Sequence, residues 1–155
     1  MKEQRRSRRI AMAPEERDEF LRHERTCRVG SVGPGGVPHV SPLWFVWDGQ
    51  ALWLNTIVKS QRWANLQRDP RVSIMVDAGE DYFELRGVEI SGTAEAVGEV
   101  PRTGEANGDL EVPEQLFGDK YGGGLFVPDG RHAWMRVVPT KIVSWDFRKI
   151  AGLSA

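Results

Sequence analysis

Apolar and polar positions alternate with period two along most of this chain, and turn-forming residues bound the stretches that do so. Thr26–Val32 and a longer run from Val37 to Trp47 flank Gly33-Pro34-Gly35-Gly36, which reads as the loop of an antiparallel hairpin. Asp48-Gly49 marks a second hairpin and leads into Ala51–Asn55. Val72–Val76 and Phe83–Val97 are predicted as strands joined through Gly79-Glu80-Asp81, and Gly87 and Gly92 inside the second point to a bulge or a barrel corner. His132–Val138 and Lys141–Phe147 are expected to close the chain as two strands around Pro139. Helical signals are fewer. Ala13-Pro14-Glu15-Glu16 opens a helix with proline in its first turn and acids at the positive end of the dipole; Phe20 and Leu21 give it a buried face, and it fades near Glu24. Ser60–Arg68 sets Trp63 and Leu66 on one face, and Pro113–Lys120 forms a third short helix. Gly98 to Val112 is polar and acidic and reads as a surface loop. Six or seven strands with few helices argue for a closed antiparallel barrel, not a doubly wound sheet.

The 155 residues suit one domain, expected as a basic flexible tail over 1–12, a barrel domain over 13–150 and a short C-terminal tail over 151–155. A net charge of −1 argues against a nucleic-acid binder, and the Arg5, Arg6, Arg8 and Arg9 cluster reads as a solvated end. Cys27 is the single cysteine, so neither a disulfide framework nor a metal-ligand spacing is present. No run approaches the ~20 apolar residues of a membrane span, and the basic start lacks the apolar stretch of a signal peptide. These features lead to the expectation of a cytoplasmic protein with no membrane partner. Six tryptophans change the picture: they imply a core of large side chains or a flat aromatic ligand pocket.

Candidate chemistry concentrates between Leu52 and Val76. There an apolar strand runs into Thr56, Lys59, Ser60 and Arg62, which open the short helix that ends at Asp69-Pro70. Two hydroxyls, two cations and the N–H groups of a helix start are what a phosphate requires. Gly122-Gly123-Gly124 is not followed by Gly-Lys-Ser/Thr, so it is no nucleotide-binding loop. His23, His39 and His132 have no recognisable metal partners in the sequence.

The element order, the Thr56-to-Arg62 turn, Asn65-Leu66 with Asp69-Pro70-Arg71-Val72, and the closing Pro139-x-x-Ile142-x-x-Trp145 resemble the pyridoxamine 5′-phosphate oxidase-like split barrels. The ending Pro139 to Lys149 is most similar to the flavin/deazaflavin oxidoreductases among them. The resemblance implies a mainly β fold, a six-stranded antiparallel split β-barrel, in a homodimer whose two cofactor sites lie at the interface. The implied cofactor is FMN or the deazaflavin F-420, with the ending favouring F-420. Thr56 and Ser60 match the family's phosphate-binding hydroxyls, Arg62 stands where many members have lysine, and Lys59 lies in the same turn. Val40, Ser41, Pro42 and Trp44 match the strand that lines the isoalloxazine edge, and Trp145 matches a tryptophan that reaches the cofactor from the second subunit.

The sequence ends at Ala155, ten residues past Trp145, without the oxidase's Arg-x-His tail, so vitamin B6 oxidation is not expected. The expectation is an oxidoreductase that transfers hydride to a small conjugated electron acceptor. The cofactor ring carries that chemistry, which accounts for the lack of a nucleophile–base pair in the chain. A non-catalytic flavin- or deazaflavin-binding protein, or a haem-binding barrel with His39 or His132 as axial ligand, is the alternative.

Overall fold

Six strands, β1 (Thr26–Val32), β2 (Pro38–Trp47), β3 (Leu52–Ile57), β4 (Arg71–Ala78), β5 (Arg86–Val97) and β6 (His132–Asp146), close into an antiparallel barrel in the order β1-β2-β3-β6-β5-β4. The computed structural model describes residues 1–153. Pairing of Arg28 with Met75, Val29 with Ile74 and Gly30 with Ser73 joins β1 to β4 and removes the open edges. Side chains of the inward positions, among them Val29, Phe45, Leu54, Ile74, Val88, Ile90 and Met135, fill the interior. Burial alternates through β1 and β4, whereas β2, β3 and β6 each carry three consecutive buried residues because Val46, Trp53 and Trp134 face a second apolar cluster outside the barrel.

Three helices cover the barrel: α1 (Pro14–His23), α2 (Gln61–Arg68) and α3 (Gly108–Tyr121). Proline at the start of α1 and a Glu16 carboxylate that accepts the Ala13 N–H at 2.7 Å fix its first turn. α3 starts well before the predicted Pro113, because Asn107 accepts the Asp109 N–H at 3.0 Å and so caps a helix that takes Pro113 into its interior. Part of the predicted surface loop is thus helix, and Leu110 is fully buried with Trp53 and Trp134 in a second apolar cluster beneath it.

The end of the chain departs from the predicted pair of strands. β6 is one strand of 15 residues that passes through Pro139. Register shifts by one residue where Ser91 pairs with Lys141 and Gly92 with Pro139, so a bulge accommodates the proline. At Gly92 a Cβ would lie 2.2 Å from the Val138 carbonyl oxygen, which explains the glycine there. The predicted strand Phe83–Val97 begins later, at Arg86, because Tyr82–Glu84 forms a 3₁₀ turn.

The basic N-terminal segment lies along β6: the Lys2 N–H bonds the Thr140 carbonyl at 2.7 Å, and Gln4 exchanges hydrogen bonds with the Ser144 backbone at 3.0 Å. Phe147–Leu153 forms a 3₁₀ turn, and the last two residues of the expected 151–155 tail lie outside the described residues. Among the described residues no helix is long and apolar enough to cross a membrane.

Candidate functional site

At the C-terminal end of β3 the chain turns into α2 around a buried cation. Ser60 caps α2, its hydroxyl accepting the Trp63 N–H at 3.1 Å. From the first turn of that helix the Arg62 side chain runs inward. Its Nε donates to Thr56 Oγ1 at 3.0 Å and its Nη1 donates to Ser41 Oγ at 2.5 Å. Thr56 is fully buried and Arg62 is 7% exposed. The second amino group, Nη2, makes no hydrogen bond to the described residues, and no carboxylate forms an ion pair with this guanidinium among them. Burial pulls the Arg62 guanidinium below its ordinary range. A fork of five donors that meets only two hydroxyls is short of an acceptor, and the acceptor that suits it is an anion.

Strand geometry sorts the remaining predicted residues. Along β2 the side chains alternate, so Ser41 turns inward to Arg62 while Val40, Pro42 and Trp44 face out and are exposed. Lys59 is exposed beside Ser60 and has no hydrogen-bond partner among the described residues. Trp145 is placed elsewhere. It pairs with Gly87, and its ring lies where a Gly87 Cβ would come within 2.5 Å of it. Thr56 pairs with Ala133, at the other end of β6, so a strand contour of about 40 Å separates the two positions within one chain. Thr56, Ser60, Arg62, Ser41 and Lys59 therefore gather at one end of the barrel, and Trp145 does not join them.

A cavity of about 430 Å³ opens on the outer face of the sheet, between β2, β3 and β6 on one side and α3 with the segment leading to β6 on the other. Trp44, Phe117 and Phe126 supply its flat walls, and Asn55 and His132 its polar groups. Asn55 Oδ1 is buried without a partner. Asp129 Oδ1 accepts the N–H groups of Arg131 and His132 at 2.8 and 3.0 Å, and its Oδ2 lies 2.5 Å from His132 Nδ1. Burial pushes the Asp129 carboxyl up, but these backbone donors and the imidazole outweigh it and leave the group below its ordinary range.

Arg102 forms the base of the cavity and is 4% exposed. Its guanidinium meets Glu114 through two bonds of 2.9 Å, Glu99 through bonds of 2.5 and 2.8 Å, and the Glu105 carbonyl at 2.8 Å. Glu114 also accepts the Trp134 indole N–H at 3.0 Å. None of Asn55, Arg102 or Asp129 was marked by the sequence pattern. The one available signal was Asp129-Gly130-Arg131-His132, an acid positioned to accept the N–H groups that precede a strand. Among the described residues no group of three His, Cys, Asp or Glu side chains converges as a metal site. Cys27 lies inside the barrel, where burial pushes its thiol up to about 12.

The family model described as pyridoxamine 5′-phosphate oxidase matches residues 13–145. Among solved structures, a conserved hypothetical protein of Mycobacterium tuberculosis is 31% identical over 96% of this chain and 93% of its own, with a TM-score of 0.79. An F-420 reductase is 26% identical over 81% of this chain and 94% of its own, with a TM-score of 0.61. The haem storage protein HutZ of Vibrio cholerae, 21% identical over 87% of this chain and 96% of its own with a TM-score of 0.67, shares the fold. No curated protein matches the chain.

Proposed function

Because the chain belongs to the pyridoxamine 5′-phosphate oxidase family, we propose that it binds FMN or the deazaflavin F-420 and holds the cofactor's phosphate on Arg62 and its neighbours. One observation carries this reading: Arg62 is a nearly buried cation with two hydroxyl partners, no carboxylate and an unbonded Nη2. A phosphate oxygen supplies the missing acceptor and counter-charge. Ser60, which accepts from Trp63, keeps its own hydroxyl proton to donate, and Lys59 adds an exposed cation beside it. That exposed cation suits the longer acidic tail of F-420 as well as a simple phosphate.

The outward residues Val40, Pro42 and Trp44 offer an apolar edge for the cofactor ring; Val40 is 69% and Trp44 47% exposed. Trp145 lies too far along β6 to serve the same cradle within one chain; we assign it instead to the cradle of a second copy, in a homodimer. When bound, the ring supplies two-electron reduction of a small conjugated acceptor, and the protein acts as an oxidoreductase. The chain's own groups bind, orient and exclude water.

Haem is a second reading, favoured by His132. Its Nδ1 is held by Asp129, an arrangement that orients an imidazole for ligation through Nε2. Titration of the purified protein with FMN, F-420 and hemin separately, repeated with Arg62→Met, distinguishes the two. Phosphate recognition by Arg62 is expected to weaken by about 10- to 100-fold in the variant. A Soret band that disappears in His132→Gln, with no binding of either phosphate-bearing cofactor, would overturn the first reading.

A further inference from the structure

We infer that the cavity behind Trp44 is a binding site separate from the phosphate cradle, for a small planar aromatic compound with a hydroxyl or carbonyl oxygen on its edge. Thr56 and Asn55 are consecutive on β3 and so face opposite sides of the sheet, one into the cradle and the other into the cavity. The two spaces are distinct yet close, because the Val58 N–H bonds the Arg131 carbonyl at 2.9 Å and ties the cradle turn to the cavity's rim.

The walls select a flat apolar ligand. Trp44 is braced by Tyr121, stacked at 4.3 Å and 7°. Phe117 and Phe126 are fixed against Trp134, with centroids 5.6 and 5.5 Å away. Glu114 holds the Trp134 indole and Arg102 together, so the base of the cavity is already saturated with hydrogen bonds and offers little to a ligand. The cavity's volume of about 430 Å³ falls in the ordinary small-molecule range of roughly 300–1,000 Å³.

Two polar groups then select an oxygen function. The Asn55 amide makes no hydrogen bond among the described residues; its Oδ1 is closed off without a partner, and its Nδ2 is left to donate to a ligand oxygen. Rotated by half a turn, the same amide presents its carbonyl oxygen to a ligand hydroxyl. His132, tied at Nδ1 to Asp129, keeps Nε2 as its one remaining ring nitrogen for a ligand oxygen. Combined with the proposed cofactor, this makes the cavity the seat of the electron acceptor. That identification rests on the cofactor reading, whereas binding itself does not.

The test uses the cofactor-free protein with 2-naphthol and naphthalene as probes, followed by quenching of tryptophan fluorescence. 2-Naphthol is expected to bind at least about fivefold more tightly than naphthalene, the effect of one hydrogen bond. Asn55→Leu, nearly isosteric, and His132→Phe should each reduce that preference while naphthalene affinity is retained or rises. If one variant fails to fold, the other carries the comparison. Saturation with whichever of FMN and F-420 binds should leave 2-naphthol bound. Equal affinity for the two probes, no binding of either, or parallel loss of both in the variants would overturn the inference. So would displacement of 2-naphthol by the cofactor, which would assign the cavity to the cofactor ring. If neither cofactor binds, the naphthol preference still decides the site and only its identification with the acceptor is lost.

Discussion

Arg62 and Arg102 are buried to nearly the same degree, at 7% and 4% exposure, yet one is ringed by carboxylates and the other meets none. At Arg102 the hydrogen bonds it donates to Glu114, and then those it donates to Glu99, outweigh desolvation and push the guanidinium up. At Arg62 desolvation acts without such an opponent and pulls it down. A buried arginine whose donors are matched within the chain is a clamp: it fastens the segment after β5 to α3. A buried arginine left with spare donors and no counter-charge is prepared for something that arrives from outside. Burial alone does not distinguish the two; the inventory of acceptors does.

The largest effect expected from breaking this contrast lies at Arg102. Arg102→Ala leaves Glu99 and Glu114 facing each other without a cation and should cost about 3 kcal/mol or more, measured as a lower urea midpoint with unchanged slope. Arg62→Met removes no ion pair, so its stability should stay near wild type or rise, read from the same denaturation curves. Its loss should appear in ligand linkage: FMN or F-420 at a hundred times the wild-type Kd should raise wild-type stability by about 2.7 kcal/mol, and the variant's by much less. Equal stabilisation of both proteins would make Arg62 a structural residue like Arg102.

Lys120 sharpens the comparison as a milder case. Its ammonium donates to the Leu21 and Phe45 carbonyls at 3.1 and 3.2 Å and lies 4.0 Å from the Phe45 ring centre, with no carboxylate bound to it among the described residues. Burial brings it down to about 8 from the ordinary 10.5. Between those values the unfolded chain holds a proton that the native chain has released, so this group makes stability rise with pH across the window. Lys120→Met should remove this contribution, read as a smaller change in stability between pH 7.5 and 9 than in wild type, below the range where the raised Cys27 and Tyr121 groups act in the opposite sense. The smallest change is expected at Cys27, whose thiol is pushed up to about 12 by burial. Native protein should show no labelling by iodoacetamide at pH 8, and unfolded protein one equivalent.

Much of the scaffold was legible because strand alternation is local. β1 carries its ends and its inward face in seven consecutive residues, and Ser60 announces α2 through its cap. Pro139 misled for a physical reason: a proline breaks a ladder only where its missing N–H is needed, and a register shift against β5 removes that need. Pro113 misled in the same way, by suggesting a helix start where Asn107 had already supplied one. The cradle was legible as a cluster of types, since Thr56, Ser60 and Arg62 are neighbours in sequence. Its inward turn depends on Ser41, far away in the chain, as partner for Nη1. The cavity was not legible, because Trp44, Asn55, Phe117 and His132 come from β2, β3, α3 and β6 and meet only where α3 packs over the sheet's outer face.

That long final strand also sets the protein's tolerance for change in length. β6 touches β3 with its first half and β5 along nearly all of it, so it works as a ruler whose two marks are His132 and Trp145. One residue added between them beyond the existing bulge would turn the following side chains through to the opposite face and carry Trp145 off Gly87. Surface turns elsewhere can lengthen without such an effect, at a small entropic cost. Variation in length should therefore collect in the turns and spare the interval from 132 to 145, which holds the two ends of the barrel at a set separation.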